Sequence, residues 1–94
     1  MEQYTQAIEV NTTYEVPYLS RASEYLTFGR YEEAIQDCDE VIELNPNSNE
    51  AYFTRAKAFA RLKRFEPAIE DMKLAANLGS KPAQFYLTKR IVYW

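Results

Sequence analysis

EVPYLSRASEYLTFGRYEEAIQDCDEVIELNPNS, residues 15–48, lies over NEAYFTRAKAFARLKRFEPAIEDMKLAANLGSKP, residues 49–82, without a gap. Nine of the 34 positions are identical: Tyr18/Tyr52, Arg21/Arg55, Ala22/Ala56, Arg30/Arg64, Glu32/Glu66, Ala34/Ala68, Ile35/Ile69, Asp37/Asp71 and Leu44/Leu78. Unrelated segments of that length share about two at ordinary residue usage. Tyr25/Phe59, Tyr31/Phe65 and Cys38/Met72 are conservative pairs in the same register. The period also runs past both ends. Tyr86-Leu87-Thr88-Lys89 answers Tyr52-Phe53-Thr54-Arg55, and Ile8-Glu9-Val10-Asn11 answers Ile42-Glu43-Leu44-Asn45. A repeat of this length signals stacked units, each burying its apolar face against the next.

Within each unit the apolar spacing is helical twice over. Tyr18, Ala22, Tyr25 and Leu26 form one stripe, and Tyr31, Ala34, Ile35, Cys38, Val41 and Ile42 form a second. Gly29 separates them, where a left-handed residue closes a helix at low cost. Asn45-Pro46-Asn47-Ser48 stops the second helix, and Asn47 with Glu50 has the spacing of a capping box for the next. Gly79-Ser80-Lys81-Pro82 repeats that punctuation. Pro67 falls in a first helical turn, where its missing N–H is no loss. The pattern predicts six helices, roughly 2–11, 16–28, 31–44, 49–62, 65–78 and 82–93. Residues 1–14 read as the trailing half of a repeat, 15–48 and 49–82 as full repeats, and 83–94 as the C-terminal helix of a partial third repeat or cap.

The signposts Tyr18, Ala22, Tyr25, Ala34, Cys38, Val41 and Pro46, then Tyr52, Ala56, Phe59, Ala68, Met72 and Ala75, resemble those of the tetratricopeptide repeat. That resemblance implies an all-α fold: a right-handed superhelical stack of antiparallel helix pairs. It also implies a non-enzymatic protein–protein interaction module. Departures from the family pattern are Ser80 in place of the second Pro, and Arg21, Arg55 and Lys89 where Leu is frequent. Arg90 replaces the small residue of Ala22 and Ala56.

Composition narrows the chemistry. The 94 residues are 47% apolar and 27% charged, enough for one small core. There is no His and 1 Cys, which excludes an internal disulfide, a Cys/His zinc site and an imidazole base. A lone thiol suits a reducing, cytoplasmic compartment. No apolar run approaches the ~18 residues of a membrane span, and Met1-Glu2 does not open a signal peptide. Cys38, at helical spacing with Ala34 and Val41, reads as core; Asp37 and Asp39 beside it disfavour a thiolate. The run Glu32, Glu33, Asp37, Asp39, Glu40, Glu43 lacks calcium-loop spacing and reads as a solvated face. Asn11-Thr12-Thr13 matches a glycosylation sequon without secretory context. No catalytic residue, metal site or cofactor is expected.

The net charge of −3 is unevenly spread. Residues 1–50 hold 11 acidic and 2 basic residues, whereas residues 51–94 hold 3 acidic and 9 basic. Solvated helix faces account for this, and so does a charge-polar rod that attracts a partner or its own opposite end. Five basic residues between Arg55 and Arg64 beside an acidic half do not suit nucleic acid.

In the resembled family one stripe of each first helix lines a concave groove. Carried over by alignment, the stripe holds an apolar row (Leu19, Phe53, Leu87), a hydroxyl row (Ser20, Thr54, Thr88) and a mixed row (Ser23, Lys57, Ile91). Arg61 and Gln84 complete the candidate surface. Such a groove suits an amphipathic helix or an extended peptide. The alternative is that the apolar row packs against neighbouring helices.

Ser20-Arg21-Ala22 and Ala34-Ile35-Gln36-Asp37-Cys38 are also similar to stretches in the repeats of chaperone cofactors, which grip acidic chaperone tails with Lys, Asn and Arg. Those places here read Leu19, Ser23, Thr54, Gln84 and Thr88; one repeat upstream they read Ser20, Glu50 and Thr54. The carboxylate clamp is absent in both frames. Two functions stay open: a module, part of a larger protein or complex, that binds a peptide or helix of a partner, or a self-assembling structural element that forms a dimer or head-to-tail array through its terminal helices and open ends. Two packing expectations complete the reading. Asp37 pairs with Arg55, and Asp71 with Lys89, across successive repeats. Tyr93 and Trp94 are the residues a terminal dimer would bury.

Overall fold

A computed structural model describes the backbone of residues 2–90 and the side chains of residues 15–88. Five helices follow one another: α1 Glu2–Thr27, α2 Tyr31–Leu44, α3 Asn49–Arg61, α4 Phe65–Asn77 and α5 Lys81–Arg90. No strand occurs among the described residues. Each helix packs on its neighbour in sequence, and α1 also reaches α3, so the pairs stack into a body 47 × 26 × 17 Å. No described helix is long and apolar enough to cross a membrane.

The turns show why the helices end where they do. After α1, Arg30 N–H donates to Tyr25 O at 2.8 Å and Gly29 N–H to Leu26 O at 3.1 Å. This paired closure requires a left-handed residue, and Gly29 has φ 79. The same two bonds recur after α3, from Arg64 N–H to Phe59 O and from Lys63 N–H to Ala60 O. There Lys63 holds φ 63 although it carries a side chain. Gly79 closes α4 in the same way.

The starts differ in detail from expectation. Ser48, not Asn47, caps α3, its hydroxyl accepting from Ala51 N–H at 3.3 Å. With the cap at Ser48 the third helical position is Ala51, so no capping box forms. Asn47 instead closes a local turn, its N–H donating to Asn45 Oδ1 at 3.1 Å. Ser80 caps α5 through Ala83 N–H at 3.2 Å, one residue ahead of the expected start.

One expected break is missing. In place of separate helices 2–11 and 16–28 the structure has the single 26-residue α1, with Pro17 inside it. Thr12 stands where Pro46 stands one repeat later, so the stop signal is absent from that turn. Pro17 removes one backbone donor without ending the helix. The expected 91–93 end of the last helix, and Tyr93 and Trp94, lie outside the described residues.

The core has two clusters. Ala22, Ala34, Ile35, Cys38, Val41, Ala51 and Ala58 form the first; Ala56, Met72, Ala75 and Ala83 form the second. Ala22, Ala34, Ala56 and Ala68 are fully buried, which lets facing helices interdigitate closely. Partly buried aromatic side chains, among them Tyr18, Tyr25 and Phe59 in the first cluster and Tyr52 in the second, cover the alanines.

The acidic run of α2 is only partly a solvated face. Asp37 is buried and takes Arg21 Nε and Nη2 at 2.8 Å each. Asp39 receives Arg55, and Glu32 receives Arg64, both from the second repeat. The expected pairings of Asp37 with Arg55 and Asp71 with Lys89 are therefore corrected: Arg21 holds Asp37, and Arg55 holds Asp71. A residue on the first helix of a repeat lies opposite the second helix of the same repeat, 16 positions on, nearer than the one before. The side chain of Lys89 lies outside the described residues.

Candidate functional site

The first helices present repeating rows to one side of the stack. Leu19 and Phe53 form one row, Ser23 and Lys57 the next, and Thr27 and Arg61 the third, each pair 34 residues apart. On each helix these residues are spaced by four, which keeps them on one face. The rows enclose two open clefts. The larger, about 550 Å³, lies between the end of α1, Tyr31 and the Lys57–Arg61 stretch of α3. The other, about 470 Å³, lies between Leu19 and Ser20 of α1, the Phe53–Thr54 stretch of α3 and the start of α5. Ser23 and Lys57 line both, so the clefts meet there and form one groove.

Seven of the ten residues expected in the groove line it: Leu19, Ser20, Ser23, Phe53, Thr54, Lys57 and Arg61. Leu19 and Phe53 are half-buried, which keeps part of each available at the floor. Phe53 is held by an edge-to-face contact with Tyr86, ring centroids 5.7 Å apart. Thr54 is buried to 8% exposure, so it shapes the floor more than it offers a hydroxyl.

The three residues on α5 have other partners. Gln84 donates its amide to Ala76 O at 3.0 Å, tying α5 to α4. Thr88 donates to Gln84 O at 3.0 Å within its own helix. Leu87 packs against the second core cluster. The structure therefore brings α1 and α3 together at the groove, while Gln84, Leu87 and Thr88 stand outside both clefts. Ile91 lies outside the described residues.

The clefts are also lined by residues outside the expected set: Leu26, Thr27, Phe28, Gly29 and Tyr31 around the α1–α2 turn, and Asn49, Glu50 and residues 79–82 at the starts of α3 and α5. Most of these belong to turns and helix ends, which a comparison of helix faces does not reach; Thr27 is the exception, on the same face as Arg61 one repeat earlier. Phe28 is 74% exposed, and an aromatic directly before the turn glycine was the available signal.

The electrostatics of the groove centre on Lys57. Its Nζ sits 4.7 Å from the Phe53 ring centroid, a cation–π contact. Burial pushes its pKa down, and Arg61 one turn on adds to the shift. The thiol of Cys38 lies in the core, and burial pushes it up to about 12. Among the described residues no cluster of three Cys, Asp or Glu side chains is arranged to hold a metal ion.

Comparison with known proteins gives matches on the repeats themselves. Two tetratricopeptide repeat family models match, one over residues 17–48 and one over residues 50–78. A stretch of 41 residues is 46% identical to Hsp70-Hsp90 organizing protein 3 of Arabidopsis thaliana. That stretch covers 43% of this chain and 7% of the relative, so the chain spans only a small part of that protein's length.

Proposed function

The chain belongs to the tetratricopeptide repeat family, and on that basis we propose that it is a non-enzymatic module holding a peptide or helix of a partner protein in the groove along α1 and α3. The supporting observation is the continuity of the two clefts at Ser23 and Lys57, over a floor of half-buried Leu19 and Phe53. A concave, partly apolar surface with a few polar groups at its centre suits a segment with one or two anchor side chains. The proposal includes service within a larger protein or complex and a reducing, cytoplasmic setting that suits the free Cys38.

The relative's name assigns it the organisation of Hsp70 with Hsp90. A chaperone-associated partner falls within this proposal, gripped by other means than a carboxylate clamp. The clamp positions here hold Leu19, Ser23, Thr54, Gln84 and Thr88, with no Lys, Arg or Asn among them.

The test is a peptide-display selection against the intact chain, followed by calorimetry of the recovered peptides. Phe53→Ala is expected to weaken binding about tenfold or more, while Lys73→Ala, on the exposed part of α4, leaves it unchanged. Melting curves of both variants show that the fold survives. Peptides indifferent to Phe53→Ala would place the partner elsewhere. Sedimentation at two protein and two salt concentrations is expected to show a monomer. A mass that rises with concentration would favour self-assembly.

A further inference from the structure

The arginines whose side chains are described are paired with one exception. Arg21 holds Asp37, Arg30 holds Glu33, Arg55 holds Asp71 and Asp39, and Arg64 holds Glu32. Arg61 has no carboxylate within ion-pair distance among the described residues, and neither has Lys57 one turn before it. Lys57, half-buried where the two clefts meet, and Arg61, one turn on in the larger cleft, therefore have no counter-charge among the described residues. A partly desolvated ammonium beside a guanidinium is electrostatically unfavourable, and an anion from outside relieves it.

What surrounds the pair limits the anion. Leu26, Phe28 and Tyr31 wall the cleft next to Arg61, and Phe28 is largely exposed there. Glu50 lines the groove on the other side of Lys57, which opposes a run of negative charges and so a nucleic acid. A single negative charge beside an apolar group fits both constraints.

We propose that the Lys57–Arg61 pair receives an Asp or Glu side-chain carboxylate of a partner segment, while an adjacent apolar side chain enters the cleft of Leu26, Phe28 and Tyr31. This rests on the groove reading above and adds the chemistry of the occupant. The carboxylate accepts charge-assisted hydrogen bonds from both cations. Its neighbour covers Phe28, and together they form a central anchor of the kind that dominates small interfaces.

The experiment uses the intact chain and a groove-binding peptide from the selection above, made with Glu, Gln or phosphoserine beside a Leu. Glu is expected to bind about tenfold tighter than Gln, the loss typical of a charged hydrogen-bond partner. Against Lys57→Gln/Arg61→Gln the two peptides should bind alike, with the melting temperature showing a folded variant. Equal binding of Glu and Gln peptides to the unaltered chain, with Phe53→Ala still harmful, would overturn the carboxylate assignment and leave the groove reading intact. Phosphoserine tighter than Glu by tenfold would overturn it in favour of a phosphopeptide. If Phe53→Ala has no effect on any peptide, the groove reading falls and this inference with it.

Discussion

Arg55 donates from Nε and Nη2 to the two carboxylate oxygens of Asp71, at 2.7 and 3.0 Å, and from Nη1 to Asp39 of the preceding repeat at 2.7 Å. One guanidinium thus closes its own helix pair and joins it to the previous one. Tyr52 and Phe59 flank it on α3, 5.6 and 5.8 Å from ring centroid to guanidinium carbon. Arg21 repeats the arrangement with Tyr18, Tyr25 and Asp37 but has no second carboxylate among the described residues. Arginine at a position where the family often has Leu is therefore matched by an acid on the facing helix. A planar fork with aromatic flanks is a task Lys does poorly.

The pair makes an ordered prediction. Asp71→Asn takes the bidentate partner from a guanidinium that is only 22% exposed and leaves it the single contact to Asp39, so it should cost about 2 kcal/mol, less than fully stranding a buried charge. Asp37→Asn strands Arg21, which is 56% exposed and rehydrates, so its cost should be smaller. Urea unfolding of the two variants checks the order. In double-mutant cycles, coupling should be clear for Arg55 with Asp71 and near zero for Arg55 with Asp37.

Lys63 gives a second prediction. It occupies the left-handed position that Gly29 fills one repeat earlier, with the same closing bonds around it. A side chain there costs roughly 1–2 kcal/mol, and glycine returns part of the gain as unfolded-state entropy. Lys63→Gly should therefore stabilise the chain by about 1 kcal/mol. A midpoint that falls on this substitution would contradict the assignment.

Cys38 ties stability to alkaline pH. Burial raises its pKa from about 9 in the unfolded chain to about 12 in the fold, outweighing the opposing pull of Arg55. Below pH 9 the thiol is neutral in both states and costs nothing. Between pH 9 and 12 the unfolded chain releases the proton and the native chain keeps it, so stability falls as pH rises. Going from pH 8 to pH 10, the unaltered chain should lose on the order of 1 kcal/mol more than Cys38→Ala does. Equal losses would show that Cys38 ionises freely in the fold.

The repeat, most helix ends and the core alanines were legible in the sequence, because a 34-residue period records the same packing problem solved twice. Ala22 and Ala56, or Gly29 and Lys63, occupy equivalent places whatever their neighbours. Three things were not legible. The partner of Arg55 depends on which of two acids, Asp37 or Asp71, lies opposite, and equal spacing in the alignment does not settle that. The continuity of α1 depended on a stop signal missing at Thr12. The wall at Phe28 and Tyr31 belongs to a turn, whereas the groove reading rests on helix faces alone; Gln84 meanwhile bonds the backbone of α4 and Thr88 that of its own helix.

The central claim is that a partner lies along the inner face of α1 and α3. Amide chemical shifts of the labelled chain, titrated with a selected peptide, test it residue by residue. The expected changes cluster at Leu19, Ser23, Phe53, Lys57 and Arg61, with Glu40 on α2 and Lys73 on α4 unmoved. Changes centred on Glu40 and Lys73, with Phe53 and Lys57 silent, would contradict the account.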